Sequence, residues 1–73
     1  MTYTVTFYVL RPDLAEIVVS VHHVDQNALA AYVRTPSRAL AAARSVKADP
    51  PADGFRVVDA EGRIVLDFVD RIG

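Results

Sequence analysis

No cysteine occurs among the 73 residues, so neither a disulfide nor a thiolate metal site can stabilise the chain. Glycine is scarce, and the three present (Gly54, Gly62 and Gly73) are isolated, so no glycine-rich loop is available to cradle a phosphate. No apolar run approaches the roughly 18 residues of a membrane-spanning helix. No charged-then-apolar leader opens the chain, so a cytoplasmic protein with no membrane partner is expected. An excess of positive charge is missing too. Eight Lys and Arg stand against nine Asp and Glu, for a net charge of −1. A general basic field for nucleic acid or anionic lipid is therefore absent.

Apolar side chains, by contrast, are plentiful. Hydrophobic residues make up 52% of the chain and charged residues 23%, which suits a packed globule and not a disordered one. The length fits one domain over 1–73. A domain this small buries only about 60% of the surface its unfolded form exposes, so its core is thin. Arginine outnumbers lysine, and alanine and valine are frequent. That bias points to a GC-rich genome, bacterial or phage.

Tyr3, Val5, Phe7 and Val9 alternate with Thr2, Thr4, Thr6 and Tyr8, which predicts a strand over 2–10. Pro12 ends it. Ile17 to Val24 forms a second strand, with Ile17, Val19 and Val21 on one face and Val18, Ser20, His22 and Val24 on the other. Residues 28–34 are ambiguous. Their alanines favour a helix that Asp25 would cap, but Thr35-Pro36 would break it at once. Extended structure from Leu29 to Arg34 is preferred. A helix from Pro36 to about Ala48 follows, with Ala39, Ala43 and Val46 on one side and Leu40 on the flank. Asp49 to Gly54 is a stiff connector. Two further strands, from Phe55 and from Ile64, flank Asp59-Ala60-Glu61-Gly62. Gly62 there supplies a positive φ, and Asp59 bonds the turn backbone. Residues 70–73 are expected to fray or to dock weakly. The expected fold is α+β: a two-layer sandwich with an antiparallel sheet of four or five strands and one helix packed across it, β-β-(β)-α-β-β.

One alanine-rich helix cannot cover all the apolar strand residues. Tyr8, Leu10, Val18 and Val24, with Val58, Val65 and Val69, are left for the second face of the sheet. A contiguous apolar patch in water is unfavourable at about 25 cal/mol per Å². The expectation is therefore a non-enzymatic interaction module. It would associate with itself as a homodimer, or with another protein, through sheet surface or an edge strand, with Tyr8, Leu10, Val18 and Val24 at the interface.

Other residue sets are weaker. His22 and His23 are adjacent, so a strand points them to opposite faces, and no third metal ligand stands at a useful spacing. Asp25 shares a face with His23 and is placed to orient it. Ser20 and His22 are neighbours on one face, but no nucleophile elbow or oxyanion loop accompanies them. Asp59 and Glu61 serve turn chemistry in preference to acid–base work. No catalytic residue, metal or cofactor is expected. Arg34, Arg38, Arg44 and Arg63 offer guanidinium forks along the helix and hairpin, and a small nucleic-acid-binding regulator is the alternative reading.

Overall fold

A computed structural model gives the arrangement of the chain, and the structure describes residues 2–13, 15–45 and 51–70. The order is β1 (Tyr3–Leu10), β2 (Glu16–Val24), α1 (Gln26–Arg34), α2 (Pro36–Ser45), β3 (Gly54–Val58) and β4 (Ile64–Val69). The strands form one antiparallel sheet in the order β2-β1-β3-β4. The fold is α+β as expected, but it carries two helices instead of one. Residues 46–50 and 71–73, and with them Val46, the expected end of the helix and most of the tail, lie outside the described residues.

The stretch expected to be extended, 28–34, is helical. Asp25 caps it in extended backbone, its carboxylate accepting from the Ala28 amide at 2.8 Å. The helix stops where Pro36 demands, but the stop is only one residue wide. Thr35 satisfies the open end: its amide and its hydroxyl both donate to the Ala31 carbonyl, at 3.3 and 2.9 Å. Its own carbonyl then accepts from the Ala39 amide at 3.0 Å and so starts α2. The break inferred from Thr35-Pro36 is real, and it is a corner between two helices.

Two cross-strand rows build the helix-facing side of the sheet. Ser20, Phe7, Phe55 and Phe68 form one row from β2 to β4, and His22, Val5, Val57 and Leu66 form the other. Val5, Phe7, Phe55 and Val57 are fully or almost fully buried, and Leu40 of α2 closes over them. Leu29 and Tyr32 of α1 and Ala39 and Ala43 of α2 pack around this centre. Phe55 stacks at 5.5–5.8 Å on Phe7, Tyr32 and Phe68, which makes it the hub of an aromatic cluster.

The β3–β4 turn is built as its sequence dictates. Gly62 has φ of 85°, and the Asp59 carboxylate accepts from the amides of Glu61 and Arg63, both at 2.9 Å. Asp53 ties the other end of this hairpin to β1. Its carboxylate accepts from the Leu10 amide at 2.8 Å, and its carbonyl accepts from the Asp70 amide, also at 2.8 Å. Of the two expectations for the tail, Asp70 takes the docked one.

Candidate functional site

Both edges of the sheet and both of its faces bear on function, and a single irregularity decides what β2 shows. Phe7 pairs with Ser20 but Tyr8 pairs with Val18, so Val19 is an extra residue, a β-bulge. The bulge reverses the phase of the strand. Val21 stands opposite Thr6 and joins the outer face, away from the helices, while Ser20, His22 and Val24 stand on the helix side. The alternation expected for β2 is therefore correct only before Val19. Val24 is packed against the core, so its place on the outer face is overturned.

The outer face is not uniformly apolar. Arg56 on β3 reaches β2, where its guanidinium grips both oxygens of Glu16 at 2.9 and 2.5 Å. It also reaches β4, where it meets Asp67 at 3.3–3.4 Å. Its Cζ lies 5.2 Å from the centre of the Tyr8 ring, and the Tyr8 hydroxyl donates to Asp67 at 2.5 Å. One latch therefore crosses all four strands. Tyr8 is only 1% exposed beneath it and offers nothing to a partner, which corrects its expected place at an interface. Burial, then the Asp67 hydrogen bond, pushes the Tyr8 hydroxyl well above its ordinary range. The Arg56 hydrogen bond holds the Glu16 carboxyl below its ordinary value and, in return, raises the arginine.

Around this latch the margins of the sheet stay apolar. On β2, Ile17, Val18 and Val21 are 45%, 57% and 49% exposed, and on β4, Ile64, Val65 and Val69 are 62%, 44% and 43% exposed. Of the four residues expected at an interface, Val18 alone is strongly exposed, while Leu10 is half-buried with its amide held by Asp53. Val21 was missed because strict alternation turned it toward the helices; Ile17, paired with Val9, stands on the helix side as expected and is exposed there. The edges differ in charge. Between Ile17 and Val24, β2 carries no Asp, Glu, Lys, Arg or Pro. β4 is shorter and has Asp67 near its middle.

The four arginines do not form one stripe. Arg44 is committed to the fold: its Nε donates to the Ala52 carbonyl at 2.8 Å, and its guanidinium also bonds the Asp70 carbonyl and lies 3.9 Å from that carboxylate. Arg63 stands in the β3–β4 turn, beside Glu61 at 3.5 Å. The length of β3, about 16 Å at 3.3 Å per residue, separates that turn from the Arg44 end. Arg34 and Arg38 are exposed on either side of the Thr35 corner.

The histidines point to opposite faces, as adjacency in a strand requires. His23 meets Thr4 at 3.4 Å on the outer face. Asp25, offered as its orienting partner, is used as the α1 cap instead. His22 sits on the helix side, edge-on to Phe7 at 5.7 Å, with Nε2 3.2 Å from the Ser20 hydroxyl. Ser20 and His22 line a groove of about 830 Å³ between the sheet and the helix pair. Phe7 lies in its wall, with Ala31 and Tyr32 from α1 and Ala42 from α2.

No protein-family model matches this chain. No curated protein and no solved structure matches it either. A functional reading therefore rests on its own geometry. Among the described residues, no group of three or more His, Asp or Glu is placed to hold a metal ion, and no helix is long and apolar enough to cross a membrane.

Proposed function

We propose that this chain is a non-enzymatic protein–protein interaction module that associates with itself, pairing the β2 edge with β2 of a second copy. The observation that carries this reading is the state of β2. It is an edge strand of nine residues with three apolar side chains about half exposed and no charge or proline along Ile17–Val24. Soluble proteins usually guard such an edge with lysine, proline or a short strand. The bulge at Val19 twists this edge but does not close it.

Antiparallel pairing of β2 with its copy gives a closed two-fold interface and one continuous sheet of eight strands. Pairing at β4 has less support. Two β4 strands would bring Asp67 toward its copy, and like charges across a strand pair are unfavourable. Pairing of β2 with β4 of another copy would leave free edges at both ends and propagate into a fibre.

Sedimentation equilibrium separates these outcomes. A species of twice the 8.0 kDa chain mass that saturates with concentration is expected. The double variant Val18→Lys/Val21→Lys should remain folded and return the monomer, since both side chains are already exposed. A wild-type monomer at millimolar concentration, or an open-ended series of polymers, would defeat the two-fold β2 pairing.

A further inference from the structure

The groove beneath the helices is independent of the β2 edge and poses a separate question. The two apolar rows of the helix-facing sheet both end at β2 in a polar residue: Phe68-Phe55-Phe7 ends in Ser20, and Leu66-Val57-Val5 ends in His22. A strand that only covered a core would continue these rows with valine or isoleucine. Instead a hydroxyl and an imidazole stand 3.2 Å apart at the head of a space of about 830 Å³. The rest of that space is bounded by Val19, by aromatic rings and by alanine methyls on both helices. Its size lies within the range of small-molecule sites, about 300–1,000 Å³. Few polar groups, gathered at one end of an apolar cleft, are what fixes a ligand's orientation.

We infer that this groove binds a small aromatic carboxylic acid, its ring against Tyr32 and the alanine methyls and its carboxylate on the Ser20 hydroxyl and the His22 Nε2. These two groups bond each other at 3.2 Å, and a carboxylate would replace that bond, accepting from the hydroxyl with one oxygen and from the Nε2–H tautomer of His22 with the other. Tyr32 is only partly buried and offers its ring to a flat ligand, while Phe7, 3% exposed, backs it with ring centres 6.3 Å apart. Ala31 and Ala42 line the groove with single methyl groups.

The test is an amide-resolved NMR titration of the full chain with 2-naphthoate, with 2-naphthalenemethanol as its neutral counterpart. Saturable shifts centred on Ser20, His22 and Ala31 are expected, with the acid binding about tenfold tighter than the alcohol, the scale of one charge-assisted hydrogen bond. Ser20→Ala/His22→Phe keeps a ring beside Phe7 and should abolish that preference while leaving binding of the alcohol in place. Ala31→Leu should weaken both ligands, and its amide spectrum reports independently that it is folded. Absence of saturable shifts at low-millimolar ligand overturns the inference, and so do shifts confined to the outer face. Equal binding of acid and alcohol removes the assigned carboxylate contact. The same shifts produced by concentrating the protein alone would give the groove to a second copy.

Discussion

The two faces of this sheet are held by different forces. On the helix side, rings and aliphatic chains from β1, β3, β4 and both helices meet around Phe55, and their attraction scales with buried area. On the outer side a single ionic latch spans the strands, from Glu16 through Arg56 to Asp67, with Tyr8 beneath. Salt, pH and volume changes should therefore act on one face and spare the other. A small domain must have one dependable face, and the ring cluster is it. The outer face holds register and leaves the margins of the sheet open.

The largest effect should come from the ring cluster. Phe55→Ala removes a side chain that is 0% exposed and touches three other rings. Such truncations remove about 3–5 kcal/mol. Total stability for a chain of this length is on the order of 0.05–0.15 kcal/mol per residue. The variant should therefore lose a large share of its stability and unfold at a much lower urea concentration than wild type, as circular dichroism would read. A cooperative urea transition close to wild type would show that the cluster is not the centre of stability.

Gly54→Ala strikes both faces at once. A Cβ there would fall 2.4 Å from the Phe68 carbonyl oxygen, a backbone atom that cannot swing aside. Gly54 also stands opposite Tyr8, whose hydroxyl passes beyond β3 to Asp67 on β4. Overpacking of this kind is destabilising by about 1–3 kcal/mol. Urea denaturation should show the loss, and tyrosine fluorescence should show Tyr8 released from Asp67. A stable variant with Tyr8 unchanged would mean that the hairpin has slack that its register does not reveal.

Asp25→Ala tests the corner that separates the helix pair from β2. It removes the N-cap of α1, a loss of about 1 kcal/mol. Amide exchange should quicken in Gln26–Arg34 and leave the sheet unchanged. If exchange quickens equally throughout, α1 does not open by itself and the groove beneath it is more rigid than a one-residue corner suggests.

What could be read in advance follows from how local each cause is. β1 and the β3–β4 turn were legible because alternation in the one and Asp59 and Gly62 in the other carry their reasons within a few residues, whereas a register shift at Val65 moved Ile64 off the face of Leu66 and Phe68. α1 was not, since Thr35-Pro36 equally marks the end of a strand or a corner between helices; packing of Leu29 and Tyr32 on the core decides between them. The outer face of β2 was misread beyond Val19, because a bulge is a property of a pair of strands and leaves no mark in either one alone. The candidate site suffered for the same reason. Tyr8 is buried by Arg56 and Asp67, and Arg44 is claimed by Ala52 and Asp70, partners brought in from distant parts of the chain.

The smallest effect sharpens the comparison most, because it separates the faces by pH alone. The Arg56 hydrogen bond holds the folded Glu16 carboxyl below its ordinary value near 4.5. An acid with a depressed folded pKa stabilises the fold above its unfolded value, and the contribution fades as pH falls through the folded one. Tyr8 behaves oppositely. Its folded pKa is raised, so its contribution is whole below the ordinary value of 10.0 and is lost as pH climbs beyond it. The latch should thus be complete from about pH 5 to 9 and fail at both ends. Both Glu16 and Asp67 are more than a third exposed, so added salt should weaken the acid arm within that window. Urea midpoints of wild type and Glu16→Gln should differ modestly at neutral pH, converge below pH 4.5, and converge again in high salt. The parallel gap between wild type and Tyr8→Phe should survive acid better and narrow in alkali. Phe55→Leu provides the control, since its deficit arises on the apolar face and should be insensitive to salt. If that deficit moved with salt as the Glu16 gap does, the two faces would not be energetically separate, and the outer latch would be part of the same cooperative core.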